Sequence, residues 1–167
     1  MMPNTISLIG MPGAGKSTVG VLLAKELGLN FVDTDLVIQV RAGETLQHIL
    51  DQRGYLALRE LEQQVLNDIP LANTLVSTGG SAIYSETGIQ RLRAAGPTVF
   101  LDVSLAILAQ RVDNEDARGI ARSPGQDFAD VFAERHPLYL RHADLVMDGS
   151  TGSAEAIARD LARQLGS

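Results

Sequence analysis

Cysteine is absent from all 167 positions, which excludes a disulfide framework, thiolate catalysis and a thiolate-bound metal. Histidine is scarce. His48, His136 and His142 fall at no metal-ligand spacing and read as structural or surface residues. No apolar run approaches the roughly 20 residues that a bilayer-spanning helix needs. Met1 to Thr5 lacks the basic start and apolar block of a secretory signal. Positive charge is in deficit, with 14 Lys and Arg against 20 Asp and Glu and a net charge of −6. That balance argues against general nucleic-acid binding, which rests on phosphate neutralisation. It also requires that an anionic ligand be held by cations gathered locally rather than by the overall field. Internal repeats and low-complexity segments are missing too. What remains, at 45% hydrophobic and 20% charged, predicts one globular domain with a real core. The expected setting is the cytoplasm, with neither membrane nor nucleic acid as partner and the chain acting as a monomer.

Against these absences stands the stretch around which the chain is organised, Gly10-Met11-Pro12-Gly13-Ala14-Gly15-Lys16-Ser17-Thr18. It reads G-x-x-x-x-G-K-S, a phosphate-binding loop (P-loop) pattern. The apolar run Ile6-Ser7-Leu8-Ile9 before it predicts a buried strand. After it Val19, Leu22, Leu23 and Leu27 recur at helical spacing, and Gly28 falls where a helix C-cap belongs. The loop is therefore expected to join a strand to a helix N-terminus. Glycines let the backbone approach a polyphosphate and take positive φ, so that N–H groups and the helix dipole face the anion. Gly13, Ala14, Gly15, Lys16, Ser17 and Thr18 are the expected nucleotide contacts. Lys16 adds a full charge near the β- and γ-phosphates, and the Ser17 hydroxyl suits Mg²⁺. A plain glycine-rich turn accounts for the glycines but not for the Gly-Lys-Ser tail in this setting.

Strand-like runs recur at Thr5–Ile9, Asn30–Val32, Thr74–Ser77, Thr98–Leu101 and Asp144–Met147, with helical patterns between them. The clearest helix is the last, where Ala154, Ile157, Ala158, Leu161 and Leu165 share one face. This alternation predicts a three-layer α/β fold, a parallel sheet with helices on both faces, with ligands beyond the carboxyl ends of the strands. Several candidates lie there. Asp33 and Asp35 flank Thr34 at the end of the second strand. One can serve Mg²⁺ and the other accept a proton from a substrate hydroxyl; alternatively, Asp35 only caps the helix that follows. From about Leu56 a helix is marked by Leu58, Leu61, Val65 and Ile69. Beside that stripe Arg59 and Glu62 stand at i, i+3, either as a surface ion pair or as a guanidinium oriented toward a substrate carboxylate. Gly79 and Gly80, at the end of the third strand, allow close approach of a ligand or form a plain turn. Residues 113–126 are polar, with Arg111, Arg118 and Arg122 in or near them. They read as a loop that closes on nucleotide or as solvated surface. Pro137 disfavours helical geometry at His136, where a bend is expected.

Taken together, these stretches resemble the shikimate kinase family over nearly the whole chain. The family's order is a P-loop, D-x-D, F-R-x-x-E, a triple-glycine turn, an R-P-L-L-type lid segment and R-x-P-L-Y. Here the stretches read GMPGAGKST, Asp33-Thr34-Asp35, Leu58-Arg59-Glu60-Leu61-Glu62, Gly79-Gly80-Ser81, Arg118-Gly119-Ile120-Ala121 and Arg135-His136-Pro137-Leu138-Tyr139. The resemblance implies a P-loop NTPase fold of nucleoside-monophosphate-kinase type. It has a five-stranded parallel sheet, a substrate-binding helical region at about 34–62 and a mobile lid at about 113–126. It also implies roles. Lys16 and the loop amides hold ATP, Ser17 holds Mg²⁺ with Asp33 assisting, and Asp35 contacts the acceptor hydroxyl and acts as base. Arg59 and Arg135 bind the acceptor carboxylate, Gly79 and Gly80 line its pocket, Arg118 is the lid arginine, and Arg111 lies against adenine. The implied reaction is ATP-dependent phosphorylation of a hydroxyl of shikimate.

Leu58, Ser81 and Gly119-Ile120-Ala121 depart from the family pattern, all near the acceptor or the lid and none on the phosphate machinery. Other readings of the residues are a kinase of another hydroxylated carboxylate, a kinase of a nucleoside monophosphate, and a nucleotide-switched binding module.

Overall fold

Strand β1 (Thr5–Ile9) is buried at every position, Thr5 and Ser7 included, as a strand covered on both faces is. It lies at the centre of a five-stranded parallel sheet ordered β2-β3-β1-β4-β5, with β2 at Asn30–Asp33, β3 at Thr74–Ser77, β4 at Thr98–Asp102 and β5 at Leu145–Asp148. The computed structural model describes residues 4–112 and 120–166. Register sets Leu75 and Val76 of β3 beside Ile6 and Ser7, and Val99 and Phe100 of β4 beside Leu8 and Ile9. The helices are α1 (Lys16–Leu27), α2 (Thr34–Ala42), α3 (Leu46–Arg53), α4 (Tyr55–Asp68), α5 (Glu86–Ala95), α6 (Leu105–Arg111), α7 (Phe128–His142) and α8 (Ala154–Gly166). The sheet order turns around at β1, with β3 on one side and β4 on the other. That switch point opens a crevice beyond the strand ends, and the β1–α1 loop lies in it.

Gly28 ends α1 in the left-handed region at φ 70°, as its place in the sequence predicts. The terminal helix α8 buries Ile157, Ala158 and Leu161 and packs against α1. In α4 the inward stripe is Leu58, Val65 and Leu66, with Leu61 only half-buried.

Three local expectations change. Asp33, not Asp35, caps α2: its Oδ1 accepts from the backbone N–H groups of Asp35 at 3.0 Å and Leu36 at 3.4 Å. Strand β5 starts at Leu145, because the Asp144 carboxylate turns back to accept from the Thr98 N–H at 2.9 Å and from Arg93 at 3.0 Å. Helix α7 runs on through Pro137. By then it has been nucleated by a reciprocal capping box between Asp127 and Asp130 and has two full turns behind it. Pro137 and Ala133, whose carbonyl loses its partner, are both on the exposed side of the helix, so the missing bond is not buried.

Candidate active site

A cavity of about 390 Å³ opens at the switch point, lined by the P-loop, Asp35, Leu58, Glu62, Gly80, Ser81 and Arg135. Gly15 stands at the N-cap of α1 with φ 94° and supplies no side-chain cap, so the first N–H groups of the helix remain available to an anion. Lys16, nearly buried, donates from Nζ to the carbonyls of Gly10 at 2.7 Å and Met11 at 2.9 Å. Burial pulls its ammonium down to about 8, with Asp35 opposing and Arg135 adding to the shift. Arg111, at the end of α6, donates to the Gly13 carbonyl at 3.2 Å and braces the loop from outside.

Two oxygens suited to a hard cation meet beside Lys16. Ser17 Oγ donates to Asp33 Oδ2 at 2.6 Å, and Ser77 Oγ lies 3.3 Å from Ser17 Oγ. Since Asp33 Oδ1 caps α2, one carboxylate fixes a helix and faces the P-loop hydroxyl at once.

Behind them is a knot that the sequence did not announce. Thr34 Oγ1 accepts from the Gly79 N–H at 2.9 Å and donates to Glu62 Oε1 at 2.9 Å, and that same N–H reaches Glu62 Oε1 at 3.1 Å. Glu62 is 1% exposed, and its Oε2 has no hydrogen-bond partner. Burial, then the neighbouring Asp35 charge, pushes its carboxyl up to about 8, against the pull of the Thr34 and Gly79 hydrogen bonds. Asp35 is raised to about 6, again by burial first and Asp33 second, with Lys16 opposing. At Gly79 an added Cβ would stand 2.6 Å from Asp35 Oδ1 and 3.2 Å from Glu62 Oε1. The absence of a side chain there is what lets the two carboxyls share the site.

Arg135 enters from α7 at 1% exposure. Its Nη2 donates to the Ala121 carbonyl, its Nε has no partner, and among the described residues no carboxylate pairs with it. Gly80 leaves room for its Nη1, 2.8 Å from where a Cβ would be, and the Gly80 carbonyl accepts from the Tyr139 hydroxyl at 2.5 Å.

Arg59 departs from expectation. Glu62 is drawn inward to Thr34 and Gly79, and no ion pair joins it to Arg59. The guanidinium lies instead 3.7 Å from the Tyr84 ring centroid and 4.9 Å from that of Tyr55, facing an adjoining cleft. So Lys16, Ser17, Asp33, Asp35, Gly79, Gly80 and Arg135 come together, while Arg59 lies behind Tyr84 and Arg111 behind the loop. Arg118 and Gly119 lie outside the described residues. Of the expected lid, Ile120 and Ala121 are buried against the cavity.

This geometry has close parallels. The family profile described as Shikimate kinase matches residues 12–166. The chain belongs to the shikimate kinase family. A shikimate kinase of Pseudomonas aeruginosa is 37% identical over 167 residues, covering 98% of this chain and 96% of its own length. Among solved structures, shikimate kinase from Acinetobacter baumannii in complex with shikimate superposes with a TM-score of 0.89 at 30% identity, over 99% of this chain and 93% of that one. Shikimate kinase from Aquifex aeolicus superposes at 0.83 and 31% identity, over 96% and 95%.

Within this family frame Leu58 and Ser81, two of the positions where the chain departs from the motifs, both line the cavity. Thr34, Ser77, Tyr84 and Glu134 are site or supporting residues that sequence reasoning missed. The only signal for Thr34 is its place between two carboxylates, and nothing marks Tyr84, since its partners lie 25 and 51 positions away.

Proposed function

We propose that the protein is a shikimate kinase, transferring the γ-phosphoryl group of ATP to a ring hydroxyl of shikimate to give shikimate 3-phosphate. The observation that carries this reading is the coexistence, in one cavity, of an anion-ready helix N-terminus with Lys16 and of a buried guanidinium, Arg135, that no carboxylate among the described residues neutralises. The first fits a polyphosphate, and the second calls for an acidic acceptor. Such a pocket binds an anion at each end and leaves Asp35 within reach of what lies between.

The work of the residues is positioning and charge neutralisation. Lys16 exchanges the carbonyls of Gly10 and Met11 for phosphate oxygens. The Ser17 hydroxyl and the Asp33 carboxylate, already 2.6 Å apart, fit the hard-oxygen donor set of Mg²⁺, which takes one or two protein oxygens and keeps waters and phosphates for the rest. Bound there, Mg²⁺ would neutralise charge on the transferring phosphoryl group. Asp35, ionised above about 6, accepts the proton of the attacking hydroxyl. Arg135 and Arg59 hold the acceptor's carboxylate, Gly79 and Gly80 shape its seat, and Arg111 flanks the adenine. Arg118, on a lid of about 113–126, supplies transition-state charge. The chain acts as a monomer in the cytoplasm, where ATP is abundant.

The test is a screen of acceptors by coupled ADP release with Mg-ATP. Shikimate should stimulate release far above the acceptor-free rate. Equal stimulation by a nucleoside monophosphate, or none by any hydroxylated carboxylate, would overturn the reading.

A further inference from the structure

Two guanidiniums converge on one aromatic ring. Tyr84 closes the short 3₁₀ turn, Ala82–Tyr84, that follows the glycine pair. Arg59, from α4, lies 3.7 Å from its ring centroid, and Arg135, from α7, lies 5.5 Å away. The Tyr84 hydroxyl donates to Glu134, the residue just before Arg135. Like charges gathered this way repel, and a protein ordinarily quenches them with a carboxylate. Here Glu62 is committed to Thr34 and Gly79 and Glu134 to the Tyr84 hydroxyl, and among the described residues no ion pair joins either arginine to a carboxylate. The face of an aromatic ring attracts a cation without occupying its N–H donors, and the Nε groups of both arginines are buried without a partner.

We infer that Tyr84 is a positioning residue for recognition of the acceptor's carboxylate: its ring holds Arg59 in register with Arg135, and its tie to Glu134 locks that ring to α7. The pair is thereby preset for an anion with its two Nε groups unpaired, although Arg135 Nη2 is held by the Ala121 carbonyl. A carboxylate in place of the ring would fill those donors and compete with the ligand. This inference rests on the reading that Arg59 and Arg135 bind the acceptor's carboxylate.

The experiment compares steady-state kinetics of Tyr84→Leu, Tyr84→Phe, Arg59→Ala, Arg135→Ala and the double variant Tyr84→Leu/Arg59→Ala, with shikimate and with its carboxamide. Loss of the ring should raise the KM for shikimate about 3- to 30-fold, the range expected for a partly desolvated cation–π contact, and leave the KM for ATP in place. Tyr84→Phe, which keeps the ring, should recover most of that loss. The carboxamide should be insensitive to the ring. In the double variant KM should rise by clearly less than the product of the two single-variant effects, because both changes remove one arrangement. Tyr84→Gln, a second ring-less variant, carries the same expectation and guards against a folding defect in either. If the arginine variants leave the KM for shikimate unchanged, the carboxylate reading falls and this inference with it. If they raise it while Tyr84→Leu matches Tyr84→Phe, or while the double variant shows the full product, the carboxylate reading stands and the role of Tyr84 is overturned.

Discussion

Replacing Glu62 by Gln should make the protein more stable in alkali while harming its site. Glu62 is 1% exposed, and burial lifts its carboxyl from 4.5 to about 8. The sign follows from linkage. Between those two values the folded protein keeps a proton that the unfolded chain has released, so stability falls as pH rises, by about 1.4 kcal/mol per unit. By pH 8 the loss attributable to this group alone reaches about 4 kcal/mol. Relaxation, water entry and sharing of the proton with Asp35 reduce it by roughly half, to about 2 kcal/mol. A glutamine amide oxygen can take the hydrogen bonds of Thr34 and Gly79 at Oε1, and the amide carries no charge to desolvate. For a chain of this size, 2 kcal/mol corresponds to a Tm higher by about 4–8 °C at pH 8. Melting of both proteins from pH 5 to pH 9 checks this. The curves should converge near pH 5 and separate steadily upward, with the wild type falling and Glu62→Gln nearly flat. Parallel curves, or a variant less stable at pH 8, would mean that Glu62 is not held neutral by burial.

Saturating Mg-ATP, at about 100 times Kd, should add roughly 2.7 kcal/mol and raise Tm by about 5–11 °C in a thermal-shift assay; no shift with Mg-ATP or Mg-ADP would remove the nucleotide site. The kcat/KM for shikimate should fall about tenfold per pH unit below about 6, as Asp35 takes up the proton it must lack to act as base; a flat profile to pH 5 would dismiss that role. Gly79→Ala puts a methyl 2.6 Å from Asp35 Oδ1 and should lower turnover roughly 100-fold through displacement of the base, with ATP affinity retained by titration. Arg118→Ala should lower kcat by roughly 10³–10⁵ with little change in acceptor binding; a kcat near wild type would shift the lid role to Arg122.

The strand, loop and helix that carry Gly10 to Thr18 could be read almost whole from the sequence, because they are local. Lys16, Ser17 and the glycines act through a backbone path set within nine residues, and the flanking apolar runs fix the strand and helix that aim it. The central strands were equally legible, since burial on both faces leaves short, mostly apolar runs there, as at Ile6 to Ile9 and Val99 to Leu101. Errors arose where a side chain chose between near and distant partners. Arg59 and Glu62 stand one helical turn apart, yet Glu62 bonds across to Thr34 and Gly79 while Arg59 finds a ring on the 3₁₀ turn. Pro137 shows the converse. A local rule disfavoured helical geometry at His136, and packing of Val131, Arg135 and Tyr139 on the inner face of α7 prevailed. The tie of Tyr139 to Gly80 was hidden for the same reason, spanning 59 positions.

The two bonds from Lys16 to Gly10 and Met11 bear on how an inactive control should be built. The ammonium is a strut as well as a charge: it ties the first turn of α1 to the strand-end carbonyls and so helps set the loop's resting shape. Truncating it deletes the strut together with the proposed phosphate contact, and a lost affinity for nucleotide then mixes two causes. Asp35→Asn leaves the strut in place. If Asp35 is the base proposed above, it is the cleaner inactive control for measuring how tightly each ligand is held on its own.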